Sequence, residues 1–141
     1  MKEQTKALTT TPNRLLLAED DREMRKLLAR VLRQSGYDVV ECPDGMAMLT
    51  HLADFLLPDG FSREKIDLII SDIRMPGVTG MEVLEGRPTR GDFPPMILIT
   101  AFGDDATHAR AAKLGAAAML DKPFDIDDLL DEVKAVLVSR P

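Results

Sequence analysis

The sequence predicts an α/β fold: a doubly wound, five-stranded parallel sheet with helices on both faces. Three observations predict it. Five short apolar runs of strand length recur along the chain, and segments of helical period separate them. The runs are mostly unbroken rather than alternating, as strands covered on both faces should be. The length, 141 residues, suits one domain with a proper core and leaves no room for a second. Strands alternating with helices pair in parallel through right-handed crossovers, which brings every strand C-terminus to one edge. In such sheets the site lies at that edge, at the topological switch point.

The elements follow in order. Residues 1–13 are polar and Thr-rich, without apolar periodicity, and read as a flexible tail. Leu15 to Ala18 is the first strand. From Asp21 the period changes, and Met24, Leu27, Leu28, Val31 and Leu32 recur at helical spacing until Ser35-Gly36 stops the helix. Tyr37 to Cys42 is the second strand, closed by the turn residues Pro43-Asp44-Gly45. Met46 to Phe55 is a helix, broken by Pro58-Asp59-Gly60, and an irregular polar stretch continues to Lys65. Ile66 to Ser71 is the third strand, ending in Asp72, and Arg74-Met75-Pro76-Gly77 with Gly80 form a loop. Met81 to Glu85 starts a helix that Gly86 and Pro88 cut short. Met96 to Ile99 is the fourth strand, ending in Thr100. Asp104 or Asp105 caps a helix running to Leu114, with Gly115 past its end. Ala117 to Leu120 is the fifth strand, followed by Lys122-Pro123. Asp125 caps a last helix whose Ile126, Leu129, Leu130, Val133, Val136 and Leu137 form an apolar stripe.

Composition narrows the function. Aromatic residues make up 4% of the chain, so the core must be aliphatic, and Met46, Met48, Met75, Met81, Met96 and Met119 read as core filler. The net charge of −6 argues against a nucleic-acid surface, which needs a basic patch. Cys42 is the single cysteine, which excludes an internal disulfide and suits a reducing compartment. No apolar run is long enough to span a bilayer, and the N-terminus lacks a signal-peptide core. A cytoplasmic protein is the expectation. His51 and His108 fall in helical segments as surface or partly buried residues.

The strand ends carry the chemistry. With strand order 2-1-3-4-5 the first and third strands are neighbours, and Glu19, Asp20 and Asp72 converge. Three carboxylates need a counter-charge, and a hard divalent cation such as Mg²⁺ suits an open, partly hydrated site. Lys122 and Thr100, on the next two strands, reach the same place and can neutralise and hydrogen-bond a phosphoryl group. A carboxylate beside Mg²⁺ and Lys can attack phosphorus, and Asp72 is the best candidate. Such a modification adds enough charge to bias a bistable loop or helix.

The segments LLLAEDDREMRKLL, IISDIRMPGVTGMEVL, MILITAF and MLDKPF, in this order and spacing, resemble the receiver domain of two-component response regulators. The resemblance covers residues 14–138 and implies a flavodoxin-like fold without an output domain in this chain. It implies that Asp72 accepts phosphate from a histidine kinase or histidine phosphotransfer protein. It implies that Glu19, Asp20, Asp72 and the backbone carbonyl of Arg74 hold Mg²⁺; counting back from Arg25 favours Glu19-Asp20 over Asp20-Asp21. Lys122 matches the phosphate-contacting lysine, Thr100 the switch hydroxyl, and Lys122-Pro123 a peptide that is typically cis. The resemblance further implies that the fourth helix, fifth strand and fifth helix carry the change to a downstream partner or a second copy. Three departures stand out: Met119 occupies the usual aromatic switch position, residues 56–65 look like an insertion, and Gly86 and Pro88 shorten the third helix.

Rival readings are a metal-dependent aspartyl-phosphate phosphohydrolase and a degenerate receiver acting by protein binding alone. Such hydrolases usually place an acid two residues after the nucleophile, where this chain has Arg74. A receiver is not an enzyme beyond its own phosphorylation and dephosphorylation.

Overall fold

The computed structural model describes residues 11–56, 65–88, 92–101 and 103–139. Strands β1 (Arg14–Ala18), β2 (Asp38–Cys42), β3 (Leu68–Asp72), β4 (Met96–Thr100) and β5 (Ala118–Asp121) alternate with helices α1 (Arg22–Gln34), α2 (Gly45–Leu56), α3 (Gly80–Gly86), α4 (Asp105–Leu114) and α5 (Ile126–Val138). All four strand pairings are parallel, in the order β2-β1-β3-β4-β5. The expected topology is therefore the observed one.

The sheet separates two aliphatic layers. Leu16, Ile69, Met96 and Leu98 point to one face and pack with Met48, Leu52, Val83 and Ala111 from α2, α3 and α4. Leu15, Leu17, Ile70 and Ile97 point to the other and pack with Leu28, Leu32, Leu129 and Val133 from α1 and α5. Residues two apart share a face because strand side chains alternate, and both faces are covered, which explains the unbroken apolar runs.

Several expectations shift by a residue or two for identifiable reasons. β3 starts at Leu68 rather than Ile66; Asp67, just before it, bonds Arg14 twice, its amide donating to the Arg14 carbonyl at 2.8 Å and its carboxylate accepting from the Arg14 amide at 2.8 Å. α3 runs through Gly86 and ends where Arg87, before Pro88, turns extended (φ −67°, ψ 150°). Its start is fixed by a capping box between Thr79 and Glu82 that the sequence reading did not single out. Asp104, not Asp105, caps α4, accepting from the Thr107 amide at 2.8 Å, and Gly115 (φ 94°) closes it. Asp125 sits at the start of α5, but its side chain makes no capping hydrogen bond; the Asp125 carbonyl accepts from the helix instead.

Leu27 and Met46 depart from their expected buried roles. Leu27 is 42% exposed among Arg22, Lys26 and Arg30, because Leu28, Ala29 and Leu32 already fill the α1 contact. Met46 is 60% exposed beside Gly77, in the first turn of α2. Met48, Met75 and Met96 are buried, and Met81 and Met119 are partly buried against the same layer. Cys42 is buried. The expected tail and insertion lie largely outside the described residues. Among the described residues no helix is long and apolar enough to cross a membrane.

Candidate functional site

The strand C-termini converge as the topology requires. β1 runs beside β3, so Glu19 and Asp20, just past β1, face Asp72 at the end of β3. One carboxylate oxygen from each of Glu19, Asp20 and Asp72 lies within 4.8 Å of the others. Glu19 and Asp72 are buried, and Asp20 is exposed. Asp21 takes no part in this cluster: it caps α1, accepting from the Met24 amide at 3.1 Å. Of the two registers, the geometry therefore groups Glu19-Asp20.

Lys122 follows β5 and crosses to the same place. Its Nζ donates to Glu19 Oε1 at 2.7 Å and to Asp72 Oδ2 at 2.6 Å. The remaining oxygens are also held: Asp72 Oδ1 accepts from the Arg74 amide at 2.9 Å, and Glu19 Oε2 from the Asp21 amide at 3.1 Å. Two details escaped the sequence reading. The Arg25 guanidinium donates to the Glu19 carbonyl at 2.9 Å, and the Ser71 hydroxyl to the Asp72 carbonyl at 2.9 Å. Arg25 had a legible cue, its place one helical turn after the acids, but its partner is a main-chain atom that no residue type announces.

Thr100 ends β4 beside β3 and is buried. Its carbonyl accepts from the Lys122 amide at 2.7 Å, which ties the two residues together. The Lys122-Pro123 peptide is cis. Met119 pairs with Leu98 in the β4–β5 ladder and packs into the layer of α2, α3 and α4.

The pocket is rich in negative charge. Burial pushes the Glu19 carboxyl above its ordinary range, the Asp72 charge adds to this, and Lys122 and the Asp21 amide oppose it. Burial alone would lower Lys122, but its bonds to Asp72 and Glu19 outweigh this and hold the ammonium above its ordinary range. Lys122 thus bridges two of the three clustered carboxylates, Glu19 and Asp72. An oxygen-only donor set with one exposed member fits a hard divalent cation that keeps part of its water.

A buried carboxylate bonded to a lysine, with two more carboxylates within 4.8 Å, at the strand ends of a parallel sheet of this order defines a doubly wound α/β domain with an acidic site at its C-terminal edge. The sequence model of the response regulator receiver domain matches residues 15–134. The chain belongs to that family. The transcriptional regulatory protein TctD of Salmonella typhimurium is 38% identical over 124 residues, 88% of this chain and 51% of TctD. The transcriptional regulatory protein PdtaR of Mycobacterium tuberculosis is 35% identical over 137 residues, 96% of this chain and 62% of PdtaR. The chain thus spans about half to two thirds of these relatives. Among solved structures, the chemotaxis protein CheY4 of Vibrio cholerae superposes with a TM-score of 0.73 at 25% identity, covering 90% of this chain and all of that one. The non-phosphorylated HemR receiver domain of Leptospira biflexa gives 0.72 at 26% identity, covering 92% of this chain and 98% of that domain.

Proposed function

We propose that this receiver domain works as a phosphorylation switch in which Asp72 accepts the phosphoryl group of a phosphohistidine on a kinase or phosphotransfer protein. The observation that carries the reading is the Asp72 carboxylate itself. It sits at a strand end, bonded to Lys122, with two more carboxylates within 4.8 Å. An Asp72 oxygen attacks phosphorus, the P–N bond breaks with its electrons going to the imidazole, and an acyl phosphate forms. The Arg74 amide and Lys122 orient the carboxylate, and Lys122 remains to neutralise a phosphoryl oxygen. Glu19, Asp20, Asp72 and the Arg74 carbonyl would hold Mg²⁺, which supplies charge neutralisation between acceptor and donor oxygens.

Thr100 and Lys122 then read the phosphoryl group, and α4, β5 and α5 present the change to a downstream protein or a second copy. Met119, partly buried in the place of the usual aromatic, repacks rather than swinging between two ring positions. The domain acts in the cytoplasm, makes no nucleic-acid contact itself, and turns over no substrate beyond its own acyl phosphate. Incubation with acetyl phosphate and Mg²⁺ is expected to add one phosphoryl group by intact mass. Chelation of Mg²⁺, or Asp72→Asn, should abolish the adduct. An undiminished adduct in Asp72→Asn would overturn the assignment, and rapid multiple turnover of phosphoesters would favour the hydrolase.

A further inference from the structure

Asp121 closes β5 immediately before Lys122 and reaches across to α4. Its two carboxylate oxygens lie 2.9 and 3.0 Å from His108 Nε2. Beneath this bridge runs Gly103, in the segment that leads from Thr100 into α4. A Cβ at Gly103 would collide with Asp121 Oδ1 and would lie 2.8 Å from both His108 Nε2 and Thr100 Cγ2. The bridge and the Thr100 side chain therefore both pack against the one side of Gly103 from which a side chain would project. Lys122 joins the same group through the hydrogen bond that its backbone amide donates to the Thr100 carbonyl at 2.7 Å.

We infer that His108 and Asp121 are positioning residues: their bridge, packed against Gly103 beside Thr100, holds α4 to the end of β5 in the unphosphorylated arrangement and opposes phosphorylation of Asp72. The inference rests on the phosphorylation reading above. If Thr100 and Lys122 are drawn toward a phosphoryl group, Gly103 and Asp121 must shift with them. A bridge anchored on α4 resists that shift. Whatever favours the resting arrangement raises the cost of the phosphorylated one by the same amount. The latch joins α4 to β5, the strand that carries Met119 in place of the usual aromatic.

The size of the effect follows from exposure. The His108 and Asp121 side chains are 38% and 53% exposed, so solvent screens the pair and its bias is small. A latch of this strength changes the initial rate of phosphorylation by about two- to fivefold.

The test compares the full chain with His108→Ala, Asp121→Ala, the double variant and His108→Gln. The readout is the initial rate of phosphoryl-adduct formation from acetyl phosphate and Mg²⁺, with urea midpoints measured in parallel. Each of the two single Ala variants should react about two- to fivefold faster than the parent chain. The double variant should gain no more than either single one, because one interaction has been removed. His108→Gln, which keeps an N–H donor toward Asp121, should return toward the parent rate. A pair that merely stabilises the fold would lower the urea midpoint without accelerating the reaction. Unchanged or slower rates in the variants, or additive gains in the double, would overturn the latch while leaving the Asp72 assignment intact. No adduct on the parent chain would overturn that assignment and the latch with it.

Discussion

Glu19 and Asp20 are consecutive carboxylates with opposite surroundings. Glu19 is buried and bonded to Lys122 and the Asp21 amide, whereas Asp20 is exposed. Removing a charge from Asp20 should therefore touch cation binding and little else. Asp20→Asn is expected to weaken Mg²⁺ by at least about tenfold in a calorimetric titration, by analogy with other ligand-shell losses. Its stability should stay within about 0.5 kcal/mol of the parent, as at an ordinary exposed position. A large loss of stability with intact Mg²⁺ affinity would assign Asp20 a structural role instead. The residue types at the strand ends were legible because carboxylates, a hydroxyl and a lysine have few reasons to close apolar strands together. The His108–Asp121 bridge was not legible: neither residue is unusual in its own segment, and only the approach of α4 to β5 pairs them.

Between elements, Glu41 on β2 joins α1 to the sheet. Its Oε1 lies 3.4 Å from Arg25 Nε and 3.2 Å from Lys26 Nζ, and its Oε2 lies 3.1 Å from Arg33 Nη1. Burial would raise the Glu41 carboxyl, but Lys26 and Arg33 outweigh it and hold it below its ordinary value of 4.5. A carboxylate lowered by folding contributes stability that is present above its unfolded value and lost as pH falls through the folded value. Glu41→Gln should therefore cost about 1 kcal/mol in urea unfolding at neutral pH. The difference from the parent should close as pH falls below 4.5. A difference that persists unchanged in acid would contradict the ion-pair account. The sequence showed the basic side chains of α1 but not their acceptor. Strand parity decides whether Glu41 points toward α1, and parity is lost if a strand start is misplaced by one residue.

At the scale of the molecule, the two aliphatic layers hold the five strand ends in register, and the site is a consequence of that register. Leu129 is fully buried between α5 and the sheet, and Leu27 is half exposed on α1. Leu129→Ala should cost about 2–5 kcal/mol, seen as a lower urea midpoint. Leu27→Ala should change stability by no more than about 0.5 kcal/mol. Topology was legible because unbroken apolar strands separated by amphipathic helices leave one economical solution, the parallel sheet with the site at its C-terminal edge. Helix ends were less legible: Asp125 has the residue type of a cap but not the bond, and Thr79–Glu82 has the bond in a loop read only for its glycines and proline.

The central claim is that the phosphoryl group is carried by the Asp72 carboxylate. Borohydride reduces an acyl phosphate to an alcohol but leaves free carboxylates untouched. Phosphorylated chain, reduced in this way and mapped by peptide mass spectrometry, should carry the reduced side chain at position 72 and nowhere else. Reduction at Glu19, Asp20 or another acid, with Asp72 unmodified, would contradict the account.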